Sequence, residues 1–263
     1  MAPKLLVVGG GKMGSALLSG LIAAKWAPVE ELAVSDPDPA QRERLAAAHP
    51  GLEVAEGPVA CDGALLAVKP DVAEAALRTL AVTGVNRVLS IVAGLSTARL
   101  EAALPRGGVV VRAMPNTPAL IGAGVAGMSA GSQASSADLE WAEGILSSVG
   151  TVVRLPERHL DAVTAVSGSG PAYVFLVAEA MIEGGVMAGL SRPVSQELVI
   201  ATILGSARLM AETGDEPGAL RAAVTSAGGT TAAALRTLEF KAVRSAFIEA
   251  VAAATERSRQ LGR

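Results

Sequence analysis

The run Lys4-Leu5-Leu6-Val7-Val8-Gly9-Gly10-Gly11-Lys12-Met13-Gly14 decides how this chain folds. Its apolar residues are consecutive rather than alternating, which predicts a strand over Lys4–Val8 covered on both faces. Three glycines then end the strand, and Ser15 to Ala24 has the composition of a helix. Gly9, Gly11 and Gly14 have the spacing G-x-G-x-x-G between a strand and a helix. Gly9 permits the tight turn, Gly11 lets backbone approach a pyrophosphate, and Gly14 lets helix and strand pack closely. The helix start offers free N–H groups to phosphate oxygens. Gly9, Gly11, Lys12, Met13 and Gly14 are therefore expected to hold a dinucleotide.

Outward from this turn, short β-branched runs alternate with Ala- and Leu-rich stretches. Strands are expected at Lys4–Val8, Leu32–Ser35, Ala64–Val68, Val88–Val92, Val109–Ala113, Val125–Ser129 and Thr151–Leu155. Strands separated by helical stretches predict βαβ units and a parallel sheet. After Pro156 strand signals stop. The expected architecture is α/β: a Rossmann-type doubly wound parallel sheet over residues 1–158, then an all-helical C-terminal domain over 159–263. Pro171 suits the first turn of one long helix, Pro193 starts another that Gly214 closes, and a last helix runs from Val243 to Gln260.

Composition narrows the partners. The chain has 263 residues, 51% of them apolar, so a sizeable core is available; aromatics are only 2%, so small and branched aliphatic side chains must build it. With a net charge of -3 and no long basic run, there is no footprint for nucleic acid. Cys61 is the single cysteine, which fits a reducing compartment. The first apolar run is too short for a signal-peptide core, so a cytoplasmic location is expected. Residues 163–190 are apolar but carry Ser167, Ser169, Pro171, Glu179 and Glu183, costly groups in lipid, so no membrane span is expected. The helix beginning at Pro171 is apolar nearly all round and must be buried on several sides. Packing between subunits is the expected solution, which predicts an obligate oligomer.

In a parallel sheet, ligands collect at the carboxyl ends of strands. Ser35-Asp36 ends the second strand, about 20 residues past the glycine turn, where an acidic side chain meets the adenosine ribose and disfavours the extra phosphate of NADPH. The alternative reading of Asp36 is a turn residue in Asp36-Pro37-Asp38-Pro39, and Arg42 or Arg44 on the next helix could reach a 2′-phosphate. Ala67-Val68-Lys69-Pro70 and Ala93-Gly94 end two further strands. Lys69 there is a phosphate or ribose contact, or an ordinary exposed lysine before a helix-starting proline. Asn116, between Pro115 and Pro118, sits in a rigid loop that could meet the nicotinamide ribose or carboxamide; by itself it reads as a turn asparagine. His49 and His159 read as structural or solvated.

Five segments together resemble pyrroline-5-carboxylate reductase. They are Val8–Gly14, Ala67–Pro70, Arg112-Ala113-Met114-Pro115-Asn116-Thr117-Pro118, Ser167-Gly168-Ser169-Gly170-Pro171-Ala172-Tyr173 and Thr225-Ser226-Ala227-Gly228-Gly229-Thr230-Thr231. The resemblance implies reduction of the cyclic imine L-1-pyrroline-5-carboxylate to L-proline by hydride from NADH or NADPH, the last step of proline biosynthesis. It also implies dimers through the C-terminal helices, with a decamer as the larger assembly. By the same match Ser226, Gly228, Gly229, Thr230 and Thr231 bind the substrate carboxylate, which suits a glycine-rich loop before a helix start. Thr164 matches the hydroxyl that hydrogen-bonds the ring nitrogen. A threonine is a poor acid and the imine can arrive protonated from water, so positioning is the favoured role.

Departures and rivals complete the reading. The family often has small hydroxyl residues where Asp36 stands, and its adenine-side asparagine has no counterpart in Val54–Cys61, which offers Glu56. A hydroxyacid dehydrogenase would need a lysine in the second domain to polarise its substrate, and none occurs between Asp161 and Phe240. A non-catalytic dinucleotide sensor is the other rival, and imine turnover separates it from an enzyme.

Overall fold

The computed structural model describes residues 2–262. Its sheet has eight strands: β1 (Leu5–Val8), β2 (Leu32–Ser35), β3 (Glu53–Ala55), β4 (Ala64–Leu66), β5 (Arg87–Ser90), β6 (Val109–Met114), β7 (Gly124–Ala130) and β8 (Gly150–Arg154). They lie in the order β3-β2-β1-β4-β5-β6-β7-β8. The first six are parallel in the 3-2-1-4-5-6 order of dinucleotide-binding sheets, which places the reversal of winding between β1 and β4. The seven expected strands are present, and β3 is an addition too short to register as an apolar run.

The sheet departs from an all-parallel one at a single junction. β7 runs antiparallel to β6, pairing Val111 with Ala130 and Met114 with Gly127. Only residues 115–123 join them, largely as the 3-10 turn Thr117–Ile121, and a parallel return needs a longer crossover.

The apolar run of β1 is explained by the pleat. Leu5 and Val7 pack with Leu17, Leu18 and Leu21 of α1 (Lys12–Ala23) and with Ile145 and Leu146 of α5 (Ser136–Leu146). Leu6 and Val8 point to the opposite face. There they meet Leu77 and Leu80 of α3 (Pro70–Val82) and Leu100 of α4 (Thr97–Ala102). Successive side chains alternate across a strand, so a strand covered twice is apolar throughout. Each fully buried leucine contributes about 1.5–3 kcal/mol. Helix α2 (Pro39–Ala48) starts where the sequence stops it from starting earlier: Pro39 opens it, and the Asp38 carboxylate accepts the Ala40 N–H at 3.0 Å.

By packing, the described residues form two compact units, 2–169 with 253–262, and 170–252. The first division falls beyond residue 158 because α6 (Leu160–Val163) lies on the sheet. A side chain at Gly127 of β7 would meet Val163 at 2.9 Å. The second unit is helical: α7 (Gly170–Met187), α8 (Arg192–Thr213), α9 (Pro217–Ala223), α10 (Thr230–Phe240) and the first part of α11 (Val243–Leu261). Gly214 closes α8 in the left-handed conformation, as its position predicts. α7 and α8 cross closely where Ser195 faces Gly185, and the Ser195 hydroxyl donates to the Ile182 carbonyl at 2.8 Å.

One copy does not bury α7. Ile182 is its only buried residue, whereas Phe175 is 62% exposed and Leu176 65%. The stretches Glu157–Met187 and Arg192–Thr213 are long and apolar enough to cross a membrane by length and composition alone. An apolar surface of this extent marks a face that something covers.

Candidate active site

The glycine turn is built by three close approaches. Gly9 has φ +99°, and a Cβ there would lie 2.6 Å from the Ala67 carbonyl oxygen at the end of β4. A Cβ on Gly14 would run into the Gly9 carbonyl oxygen, so the helix reaches the turn only without a side chain. Gly11 is different: nothing lies within 4 Å of where its Cβ would be. That open side faces the start of α1, where Gly11 caps without a side chain and the first-turn N–H groups of Lys12, Met13 and Gly14 lack intrahelical partners. Together they form a cradle for a phosphate pair, and the residues fit a dinucleotide.

Asp36 stands beside this cradle. Its Oδ2 accepts the Gly10 N–H at 2.8 Å and its Oδ1 accepts the Asp38 N–H at 2.9 Å. Both bonds leave lone pairs on a carboxylate for further donors. Arg42 lies at the same strand end, where its Nη1 donates to the carbonyls of Asp36 and Pro37, each at 2.9 Å. Ser35 is buried, its backbone carbonyl accepts the Gly9 N–H at 2.8 Å, and its hydroxyl has no protein partner. Gln41 was invisible to sequence reasoning: it donates to the Gly10 carbonyl and thereby braces the turn from α2.

At the end of β4 the Ala67 N–H donates to Val8 O at 2.8 Å, which locks the neighbouring strand ends together. Val68 is half-buried, while Lys69 and Pro70 are exposed at the start of α3. Gly94, past β5, has φ +79° and touches the last turn of α11, for a Cβ there would lie 3.0 Å from the Leu261 carbonyl oxygen. Gly9, Gly11, Gly14, Asp36, Ala67 and Gly94 thus all follow the carboxyl ends of neighbouring strands β2, β1, β4 and β5.

A second cluster, also unforeseen, holds the β5–α4 loop. Glu157 accepts the Thr97 N–H at 2.7 Å, the Thr97 hydroxyl at 2.6 Å and an Arg112 guanidinium N–H at 2.9 Å. Burial pushes the Glu157 carboxyl up, but the Thr97 donors and Arg112 outweigh it and hold its pKa below the ordinary value. The signal available in sequence was Arg112 itself, a cation inside the apolar run of β6 that requires a carboxylate partner.

Asn116 is buried, and its side chain is engaged at both ends. Oδ1 accepts the Val125 N–H at 3.0 Å, and Nδ2 donates to the Ser167 carbonyl at 3.1 Å. Ser167 belongs to a π-helical turn, Thr164–Gly168, in which the Ser169 N–H reaches back five residues to the Thr164 carbonyl at 2.8 Å. Such turns are frequent at functional sites. The Thr164 hydroxyl donates to the Leu160 carbonyl at 2.8 Å.

Within the helical unit, Ser226–Gly229 connects α9 to α10. Gly228 has φ +69°, the Gly229 N–H donates to Ser226 O at 3.1 Å, and Gly229 caps α10 with no side-chain bond. The first-turn N–H groups beginning at Thr230 and Thr231 therefore open onto a tight glycine loop, a geometry suited to an anion.

A 3-2-1-4-5-6 sheet with this glycine cradle defines a Rossmann-type dinucleotide-binding protein. Residues 157–261 match the family described as pyrroline-5-carboxylate reductase dimerisation, and residues 4–94 match NADP oxidoreductase, coenzyme F420-dependent. Pyrroline-5-carboxylate reductase of Synechocystis is 45% identical, with 100% of both chains covered; that of Corynebacterium melassecola is 41% identical over 98% of each. Among solved structures, a pyrroline-5-carboxylate reductase from Coxiella burnetii superposes with a TM-score of 0.91 at 32% identity, covering 100% of both chains. The Plasmodium falciparum pyrroline carboxylate reductase with NADP bound gives 0.88 at 33%, covering 99% of this chain and 98% of its own. The chain belongs to the pyrroline-5-carboxylate reductase family.

Proposed function

We infer that this chain reduces L-1-pyrroline-5-carboxylate to L-proline with NADH or NADPH, the closing step of proline biosynthesis. The observation that carries the reading is the open side of Gly11 in front of α1, in a chain matched end to end by reductases of this imine. When bound, the reduced nicotinamide supplies a hydride to the imine carbon, leaving the oxidised cofactor and an amine.

The protein's part is to hold and orient. A protonated imine is already electrophilic, so alignment and exclusion of water supply much of the barrier reduction. Gly9, Gly11, Lys12, Met13 and Gly14 hold the pyrophosphate. Ser35 and Asp36 take the adenosine ribose, and Ala67-Val68-Lys69-Pro70 with Ala93-Gly94 line the cofactor along the strand ends. Asp36 favours NADH: its carboxylate suits two ribose hydroxyls and opposes a 2′-phosphate.

Ser226, Gly228, Gly229, Thr230 and Thr231 bind the substrate carboxylate. The Thr164 hydroxyl donates to the Leu160 carbonyl, which leaves its oxygen free to accept. It receives the N–H of the protonated imine and fixes the ring, so no proton need pass through it. Residues 1–158 act as the cofactor domain. Residues 159–263 carry substrate binding and dimerisation, in which the apolar faces of α7 and α8 are covered by a second copy, and dimers assemble into a decamer. The half-buried Cys61 thiol, which donates to Gly63 O at 3.2 Å, suits a reducing cytoplasm.

Oxidation of NADH and of NADPH by the purified protein, with the imine as substrate and a 2-keto acid as control, tests the reading. Turnover of the imine alone supports it. A folded protein that binds dinucleotide without turning over the imine would be a sensor instead.

A further inference from the structure

The π-helical turn Thr164–Gly168 creates a local problem that one side chain solves. Widening a helix by one residue shifts its carbonyls out of register, and the residue four beyond Ser167 is Pro171, which has no N–H to give. The Ser167 carbonyl therefore loses its ordinary helical donor. An unpaired buried carbonyl costs about as much as a lost hydrogen bond. The Asn116 Nδ2 supplies the replacement at 3.1 Å, while Asn116 Oδ1 is anchored by the Val125 N–H of β7 at 3.0 Å.

Asn116 is 8% exposed, and its loop is fixed by Pro115 and Pro118. Its amide is thus a rigid strut between a sheet strand and the turn that carries Thr164. The same turn is closed by the Ser169 N–H on the Thr164 carbonyl, and Ser167 lies within the closed segment, so a shift of Ser167 moves the backbone that carries Thr164.

We propose that Asn116 is a positioning residue of the reductase. It holds the π-turn, and hence the Thr164 hydroxyl, in the geometry the imine requires, acting through the Ser167 carbonyl rather than by touching the nicotinamide. This rests on the reductase reading and adds to it a role for the Pro-Asn-Thr-Pro segment. It also explains the pairing of that segment with Ser167–Pro171: the proline removes a donor, and the asparagine restores one.

The test is Asn116→Asp, which keeps an acceptor for the Val125 N–H but turns an oxygen towards the Ser167 carbonyl. kcat and KM for the imine, the dissociation constant of the dinucleotide, and amide exchange at Ser169 are measured together. The expected result is a kcat/KM for the imine lowered by about tenfold or more, dinucleotide affinity kept within about twofold, and faster exchange at Ser169. Adding Pro171→Ala, which supplies an N–H for Ser167, is expected to restore part of the loss. Should Asn116→Asp fail to fold, Asn116→Ser, too short to reach both partners, is read in the same way.

Unchanged kcat/KM with unchanged exchange at Ser169 overturns the proposal. So does a loss of dinucleotide affinity that accounts for the whole effect, which would make Asn116 a cofactor contact. If the wild-type protein shows no imine turnover, the reductase reading fails by itself, and amide exchange still decides whether Asn116 holds the turn.

Discussion

The Asp36 carboxylate accepts the Gly10 N–H at 2.8 Å, joining the end of β2 to the glycine turn that follows β1. The bond does two things. It fixes the turn against the strand beside it, and it holds the carboxylate in one orientation next to the cradle, with Arg42 drawn onto the carbonyls of Asp36 and Pro37.

That geometry predicts a choice of cofactor. kcat/KM is expected to be higher with NADH than with NADPH, and Asp36→Ser is expected to move the ratio towards NADPH by about tenfold or more, equivalent to roughly 1.4 kcal/mol. Steady-state kinetics with both cofactors check this. A wild type that prefers NADPH would remove Asp36 as the determinant.

The Glu157 cluster predicts a dependence of stability on pH. A carboxyl whose folded pKa lies below its unfolded value adds stability above the unfolded value, about 4.3 for a glutamate, and loses it as pH falls through the folded one. Glu157→Gln is expected to cost roughly 1–3 kcal/mol near neutral pH. The difference from wild type should shrink below about pH 4. Denaturant unfolding at several pH values measures it, and a pH-independent difference would point to lost packing instead of lost charge.

Thr164 separates positioning from proton transfer. Thr164→Val removes the acceptor and is expected to weaken productive imine binding by about tenfold, while Thr164→Ser keeps most activity. The pH profile of kcat should keep its shape in the valine variant. A profile that loses a limb would show that the hydroxyl moves a proton.

The exposed face of α7 predicts dependence on a second copy. Phe175→Glu places a charge where a partner helix is expected, and sedimentation should show single copies or a less stable dimer, with thermal stability falling as the protein is diluted. A variant that stays dimeric at wild-type stability would place the interface elsewhere.

Part of this was legible from the chain. Lys4–Gly14 specified strand, turn and helix because glycine spacing and apolar runs are local signals, and Gly214 marked the end of α8 for the same reason. β3 escaped because three half-exposed residues carry little pattern, and the antiparallel β7 escaped because strand direction is set by the length of the connection from β6. The place of Asp36 at the end of β2 was readable from its distance along the chain. Gln41, Glu157 and the bond from Asn116 to Ser167 were not, since their partners lie tens of residues away.

The sequence by itself determined the class of sheet, the place of the dinucleotide turn, the helical second half and the family, since each depends on residue type and short-range spacing. Only the tertiary structure decided that Asp36 is oriented by Gly10, that Arg42 is engaged, that the Thr164 hydroxyl donates to the Leu160 carbonyl, and that Asn116 bonds the Ser167 carbonyl of a π-turn. The reason is physical. A hydrogen bond depends on distances of a few tenths of an ångström, and those distances exist only after strands far apart in sequence have been packed side by side.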